Sequence, residues 1–503
     1  MSQTYITKIL QSRIYDLVTE TPLEPAPVIS ARLGNTILLK REDLQSVFSF
    51  KIRGAYNKLL SLSDEEKKRG VVAASAGNHA QGVAEGAKHL GIKAIIVMPK
   101  TTPTIKVDAV KARGAKVILS GDSYDEASQY AQQLVSEKAL TYVHPYDDPD
   151  VIAGQGTVGM EILQQCPTDL DAVFVAVGGG GLCAGVATYI KHVRPEVKII
   201  AVESDESACL ELALRTGRRG TLKEVGLFAD GVAVAQIGKE PFRLLKGVVD
   251  EVITVSVDEM CAAIKDTFED TRSIVEPSGA LSLAGIKKYV AREQCENLTF
   301  VGINCGANMN FDRLRYISER TEIGEKREAV LAVTIGEKPG SFKRFCRDLG
   351  HRNITEFNYR YGDSAEAHIY VGVQVSTEQD RQTLIDDLRS KDYQIIDLTD
   401  DEMAKLHVRH MVGGHAPSIE DEVALRFEFP ERPRALMKFL TTLGSRWNIS
   451  MFHYRNHGAA YGRVLLGMQV PKLERKELWA SLDELGYKYW DESNNPAYQL
   501  FLV

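Results

Sequence analysis

The chain has 503 residues, too many for one core, so about three domains are expected. Hydrophobic residues at 44% and charged residues at 26% are ordinary for soluble globular protein. A net charge of −7, with no dense Lys/Arg block, argues against a nucleic-acid surface. The N-terminus, Met1-Ser2-Gln3-Thr4-Tyr5, has no basic region followed by an apolar core, so no signal peptide is expected.

The run at 36–40 is strand-like and leads into Ser49-Phe50-Lys51-Ile52-Arg53-Gly54-Ala55-Tyr56, where Tyr56, Leu59 and Leu60 keep helical spacing. Lys51 then falls in a first helical turn, at the positive end of the backbone dipole and beside apolar neighbours. Both effects disfavour an ammonium, so its pKa should fall and leave a free amine for Schiff-base chemistry. On position alone, Lys51 could instead be one solvated lysine among many.

Runs at 71–74, 94–98 and 116–119 are apolar on both faces, as buried parallel strands are. Between them, 78–90, 104–113 and 124–138 have helical spacing, and Gly91 and Gly114 sit where helix C-terminal glycines belong. Further strands are expected at 172–177, 198–202 and 298–301, again separated by helices. From about 36 to 320 this is an α/β design of parallel strands covered by helices.

Three turns in this region carry chemistry. Ser75-Ala76-Gly77-Asn78-His79 joins a strand to a helix and points donors into a cleft; ordinary helix capping by Ser75 or Asn78 is the other account. His79 alone would be no more than a helix histidine. Gly178-Gly179-Gly180-Gly181 lies between a strand and a helix at 182–192. Its backbone N–H groups can converge at the helix's positive end, an anion site that needs no basic side chain. A looser pattern, Gly179-x-Gly181-x-x-Ala184 with Glu203 ending the next strand, imitates a dinucleotide fingerprint but leaves the other turns unexplained. Residues 172–190 hold no charge and approach a membrane span in length, yet four successive glycines break a continuous helix there. Asn304-Cys305-Gly306-Ala307-Asn308 follows the last strand; Cys305 could be a small buried residue, and Asn308 and Asn310 turn residues.

The seven cysteines (Cys166, Cys183, Cys209, Cys261, Cys295, Cys305 and Cys346) form no CxxC pair and read as reduced thiols of a cytosolic protein. After 320 the grammar changes to strand, helix, strand, strand, helix, strand over 328–397, repeated over 422–491. Glu337-Lys338-Pro339 matches Glu431-Arg432-Pro433, Phe345 matches Phe439, and Leu349-Gly350 matches Leu443-Gly444. One residue is then inserted, so that Asn353-Ile354 matches Asn448-Ile449, Phe357, Tyr359 and Arg360 match Phe452, Tyr454 and Arg455, and Gly372 matches Gly467. Two copies of one α+β module follow from this. The domains read as 1–320, 329–402 and 423–496, with 403–421 as connector.

The stretches at Lys51, Asn78, Gly178–Gly181 and Cys305, in this order, resemble the fold-type II pyridoxal-phosphate (PLP) enzymes, and most closely the threonine ammonia-lyase (threonine deaminase) group. The resemblance implies a two-lobed, tryptophan synthase beta-like catalytic domain with the cofactor in the cleft, followed by two ferredoxin-like modules similar to ACT-like regulatory domains. It implies that Lys51 carries PLP and, once freed, takes the substrate's α-proton. It places Phe50 and Asn78 against the ring, Asn78 on the phenolic oxygen, with Gly178, Gly179, Gly180, Gly181 and Leu182 around the phosphate.

Cys305 would face the pyridine nitrogen, where many relatives carry serine; a neutral partner weakens the electron sink and favours elimination over transamination. Ser75, Ala76, Gly77, Asn78 and His79 would hold the substrate carboxylate, helped by Gln155 of Ala153-Gly154-Gln155-Gly156-Thr157, and no metal is expected. The implied reaction turns L-threonine into 2-oxobutanoate and ammonia, opening isoleucine synthesis in the cytoplasm, with serine a secondary substrate. Isoleucine as inhibitor, valine as its opponent and a homotetramer are implied by the paired modules. Serine racemase, serine dehydratase and threonine synthase share such a site. A non-catalytic amino-acid sensor would not need Lys51, Asn78 and four glycines intact.

Overall fold

The computed structural model describes residues 2–502 apart from 167–168, 325–327, 337–340, 351, 353, 360–365, 409–419, 431–437, 440–441, 443–445 and 456–460. The chain divides into two compact units, Met1–Met309 and Asn310–Val503.

The first unit begins with α1 (Ser2–Leu10), β1 (Leu23–Pro25), α2 (Pro27–Leu33), β2 (Thr36–Lys40), α3 (Lys51–Leu60) and α4 (Asp64–Arg69). A smaller lobe follows: β3 (Val71–Ala74), α5 (Asn78–His89), β4 (Ala94–Met98), α6 (Thr104–Ala112), β5 (Lys116–Leu119), α7 (Tyr124–Lys138) and β6 (Thr141–Tyr142). The chain then returns through α8 (Pro149–Gln165), β7 (Ala172–Ala176), α9 (Gly181–Val193), β8 (Lys198–Ser204), α10 (Cys209–Thr216), α11 (Lys239–Leu245), β9 (Glu251–Val255), α12 (Val257–Thr271), α13 (Pro277–Glu293) and β10 (Thr299–Ile303).

These strands make two sheets, ordered β1-β2-β10-β7-β8-β9 and β5-β4-β3-β6. All pairings are parallel except β1 with β2, where Pro25 sits on an edge strand that needs no donor on its open side. In β3, Val71 and Ala73 join a core with Val83 and Ala87 of α5, while Val72 and Ala74 join another with Ala127, Ala131 and Leu134 of α7. A strand covered on both faces has no polar side, which is why its sequence lacks alternation. β5 departs from that expectation: it pairs with β4 alone, and Lys116 and Leu119 are exposed, because an edge position leaves part of the strand in solvent. Gly91 and Gly114 lie just past α5 and α6 with φ +67 and +86, the left-handed conformation that ends a helix at little cost for glycine.

Helix α3 is gripped from three sides. Ile52 and Tyr56 pack with Ile14, Val18 and Val47. A methyl group at Gly82 of α5 would lie 3.1 Å from Ile52 N, and one at Gly154 of α8 would lie 2.6 Å from Arg53 O, so both neighbours meet α3 at backbone range.

The second unit opens with α14 (Arg313–Gly324), so the boundary read at residue 320 lies inside a helix. Its first module is β11 (Glu328–Gly336), α15 (Ser341–Asp348), β12 (Ile354–Tyr359), β13 (Glu366–Gln374), α16 (Glu378–Arg389) and β14 (Gln394–Asp397), followed by α17 (Glu402–Leu406). The second is β15 (Glu422–Pro430), β16 (Asn448–Arg455), β17 (Tyr461–Gln469), α18 (Arg475–Leu485) and β18 (Lys488–Asp491), closed by α19 (Pro496–Phe501). The Glu337-Lys338-Pro339, Glu431-Arg432-Pro433 and Leu443-Gly444 matches lie outside the described residues.

Both antiparallel sheets share one order, β12-β13-β11-β14 and β16-β17-β15-β18, the ferredoxin-like arrangement. The copies agree residue for residue. Val330 pairs with Gly372 as Ala424 pairs with Gly467, and the register shifts between Ile354 and Glu356 as it does between Ile449 and Met451. Phe345 and Phe439 are fully buried in the equivalent cores. The other faces of the two sheets share a single apolar cluster, with Val330, Ala332 and Tyr370 from one copy and Ala424 and Leu465 from the other.

Candidate active site

Lys51 is the first residue of α3, and Phe50 before it is the N-cap, without a side-chain cap. The approach is tightly folded: Phe48 has φ +56. Phe50 N–H donates to Cys305 O at 3.2 Å and Ala307 N–H donates to Phe48 O at 2.9 Å, so the lysine loop and the segment after β10 are sewn together. Lys51 is half-buried, its amine donating to Pro145 O at 3.1 Å and lying 5.2 Å from the Phe50 ring centre. Burial pulls its pKa from 10.5 to about 8, with Cys305 and Glu276 opposing more weakly. A substantial fraction of this amine is neutral near physiological pH.

Asn78 faces the same cleft. Its Nδ2 donates to Glu276 Oε1 at 2.7 Å, and its Oδ1 accepts from Asn308 Nδ2 at 2.7 Å. Glu276 also accepts from Ser278 Oγ at 2.8 Å, and the Cys305 thiol donates to Ser278 O at 3.2 Å. Burial pushes the Cys305 pKa well up, so it stays a neutral thiol. Asn308 is therefore more than a turn residue: it ties Asn78 to Val47 O, also at 2.7 Å.

Two helices present uncapped N-termini here. α9 starts after Gly178-Gly179-Gly180, all buried, and its N-cap Gly180 has φ +89 and no side-chain cap. A methyl group at Gly179 would lie 2.2 Å from the Tyr146 ring, and one at Gly180 would lie 2.6 Å from Ile237. Only glycine fits so close a wall, and the first N–H groups of α9, including that of the buried Leu182, have no intrahelical partner. α5 likewise lacks a side-chain cap at Gly77, which rules out capping as the role of Ser75 and Asn78: Ser75 Oγ accepts from Gly77 N–H at 3.2 Å and Asn78 is already helical. Ser75, Ala76, Gly77 and Asn78 are half-exposed, and a methyl group at Gly77 would meet nothing within 4 Å.

The remaining expected residues are placed differently. His79 is buried; its Nε2 donates to Val143 O at 2.8 Å, Nδ1 has no partner, and burial drives its pKa to about 3. The ring is neutral, so only the His79 backbone N–H is left as a donor to an anion. Gln155 is buried behind α3, where its Oε1 accepts from Gly54 N–H at 3.2 Å. Both oxygens of Glu203 are held by Leu210 and Glu211 N–H at 2.8 and 2.9 Å, which occupies the acid that a dinucleotide site would need.

The family model described as pyridoxal-phosphate dependent enzyme matches residues 14–306, and that of the C-terminal regulatory domain of threonine dehydratase matches 319–408 and 413–502. The chain is 55% identical over 504 residues to L-threonine dehydratase biosynthetic IlvA of Burkholderia multivorans, covering 100% of this chain and 99% of that one. The chain belongs to the biosynthetic threonine dehydratases. Among solved structures, the processed form of threonine deaminase isoform 2 from Solanum lycopersicum matches with a TM-score of 0.62 at 48% identity, over 63% of this chain and 93% of that one. Maize serine racemase matches with a TM-score of 0.59 at 34% identity, over 62% and 95%.

As in this dehydratase family generally, the cofactor is PLP, and the residues present fit it. An amine of lowered pKa, a helix start without a side-chain cap and a neutral thiol are brought into one unit. Two features of the dehydratase site escaped the sequence. Glu276 precedes Pro277 and reads as a mere helix start. Arg53, two residues past Lys51, is fully buried between Glu42 and Glu161, donating to each through two nitrogens, while Lys40 donates to Glu161 at 2.6 Å. Two cations and two anions balance there, a paired arrangement that locks the phase of α3. Among the described residues no helix is long and apolar enough to cross a membrane.

Proposed function

We propose that the protein dehydrates and deaminates L-threonine to 2-oxobutanoate and ammonia, the step that commits threonine to isoleucine synthesis. The observation that carries this reading is the full-length 55% identity to a biosynthetic L-threonine dehydratase, joined to a buried amine with a pKa of about 8. When bound, PLP supplies the carbonyl that captures the amino group and the conjugated system that accepts electrons.

The chain's own residues do the rest. The first N–H groups of α9, from Gly181 onward, would hold the phosphate, and those of α5, with Ser75 and Asn78, would hold the substrate carboxylate. Lys51 Nζ would carry the cofactor and, once free, remove the proton at Cα as a general base, with Pro145 O accepting from the amine. Phe50 lies beside the Lys51 amine, and neutral Cys305 would face the pyridine nitrogen.

Serine is a secondary substrate, isoleucine inhibits through the paired modules with valine opposing, and the enzyme is a cytoplasmic homotetramer. The test incubates purified protein with L-threonine and identifies the keto acid with and without isoleucine. 2-Oxobutanoate, formed more slowly with isoleucine, is expected. Inert threonine, with pyruvate or D-serine formed from serine, would assign the site to a serine enzyme. An unchanged saturation curve with isoleucine would remove the regulatory half of the reading.

A further inference from the structure

The side-chain chain through Asn78 has one direction only. Val47 O can only accept, so Asn308 must point its amide nitrogen at Val47 O and Asn78 Oδ1, which turns the Asn78 amide nitrogen to Glu276 Oε1, the oxygen that already accepts from Ser278 Oγ. One N–H of Asn78 then remains, and the amide can offer the cleft a donor but no second orientation. Glu276 Oε1 takes hydrogen bonds from Asn78 at 2.7 Å and Ser278 at 2.8 Å, and Ser278 O takes the Cys305 thiol at 3.2 Å. The first turn of α13 thus touches both Asn78 and Cys305.

Two glycines make this possible. A methyl group at Gly306 would lie 2.7 Å from Glu276 Oε1 and 3.2 Å from Asn78 Nδ2, and one at Gly279 would lie 2.3 Å from Gly306 O. Glu276 is nearly fully buried, and its helix start needs no such acid, since it makes no side-chain cap to α13. Burial raises the Glu276 pKa, and a buried carboxyl with no capping role is otherwise an expense to the fold.

We propose that Glu276 is a positioning residue for the PLP ring, acting as a hydrogen-bond acceptor that fixes the Asn78 amide as a donor toward the cleft. The assignment rests on the cofactor reading above and concerns a residue that does not itself take part in bond making. Its role is to keep an amide from turning over, and Ser278 on the same turn restrains the thiol at the other side.

The test titrates the full-length apo-protein with PLP, following the visible imine band and the PLP dissociation constant for wild type, E276A, E276Q and E276D. E276A leaves the Asn78 amide nitrogen without its acceptor and should weaken PLP binding about tenfold or more and shift the band. E276Q keeps an acceptor oxygen in place and should stay within about threefold of wild type, a rescue that a role of the negative charge would not give. E276D keeps the carboxyl group but withdraws the oxygen by about one carbon–carbon bond, ~1.5 Å, and should resemble E276A; it serves if circular dichroism shows E276A unfolded. Wild-type affinity and band in E276A, or in E276D should it stand in, overturn the proposal, as does an E276Q no better than E276A. A wild-type protein that forms no band at all removes the cofactor reading itself and this inference with it.

Discussion

The two uncapped helix starts, at α9 and at α5, each follow a buried strand and differ in their walls. Gly178 to Gly181 are buried, with Tyr146, Ile237 and Val232 pressed so close that a methyl group meets them at 2.2 to 2.8 Å at Gly178, Gly179 and Gly180. The turn at Ser75 to Asn78 is half-exposed, and Gly77 has open space around it. The same backbone chemistry thus appears once as a closed socket and once as an open rim. A closed socket suits an anion that stays; an open rim suits one that must enter and leave at every turnover.

Lys51 stands as the one amine that both termini would serve, and its removal should have the largest effect. K51A should abolish the visible imine band and lower threonine turnover by about 10^3-fold or more, checked by absorbance and keto-acid assay. Residual turnover near wild type would leave the two termini without a common purpose. G179A pushes a methyl into the Tyr146 ring and should cost about 10–100-fold in PLP affinity, read by titration of the apo-protein. Capture of PLP by apo-protein should quicken roughly tenfold from pH 7 to pH 9 and then level, because the amine is the nucleophile only when neutral and its pKa is about 8. A rate flat across that range would mean the amine is not the titrating group. G77A, with room for its methyl, should leave PLP affinity unchanged and alter the threonine KM by less than about threefold. If G77A and G179A damaged PLP binding equally, the contrast between socket and rim would fail.

What the sequence made legible followed from short-range rules. A run of glycines between β7 and α9, a glycine before α5 and a lysine opening α3 are local statements about backbone freedom and helix polarity, and the structure places each element within a residue or two. The repeat was legible because identical modules repeat their packing, down to the shared register shift near Ile354 and Ile449. What stayed hidden depends on residues far apart in the chain. Glu276 meets Asn78 across 198 positions, and Arg53 meets Glu161 across 108. No local pattern marks either, since an acid before proline and an arginine after a lysine are common everywhere. His79, which only the resemblance set at the substrate carboxylate, turns its ring to Val143 O, and burial keeps that ring neutral.

The regulatory modules carry their own consequence. Each sheet covers one face with its own helices and gives the other, through Val330, Ala332 and Tyr370 or Ala424 and Leu465, to an apolar layer that also takes in Tyr498 and Leu502 near the chain's end. Neither copy therefore owns a finished surface. Separating the two modules would bare a greasy plane on both halves, so the pair should melt in a single transition.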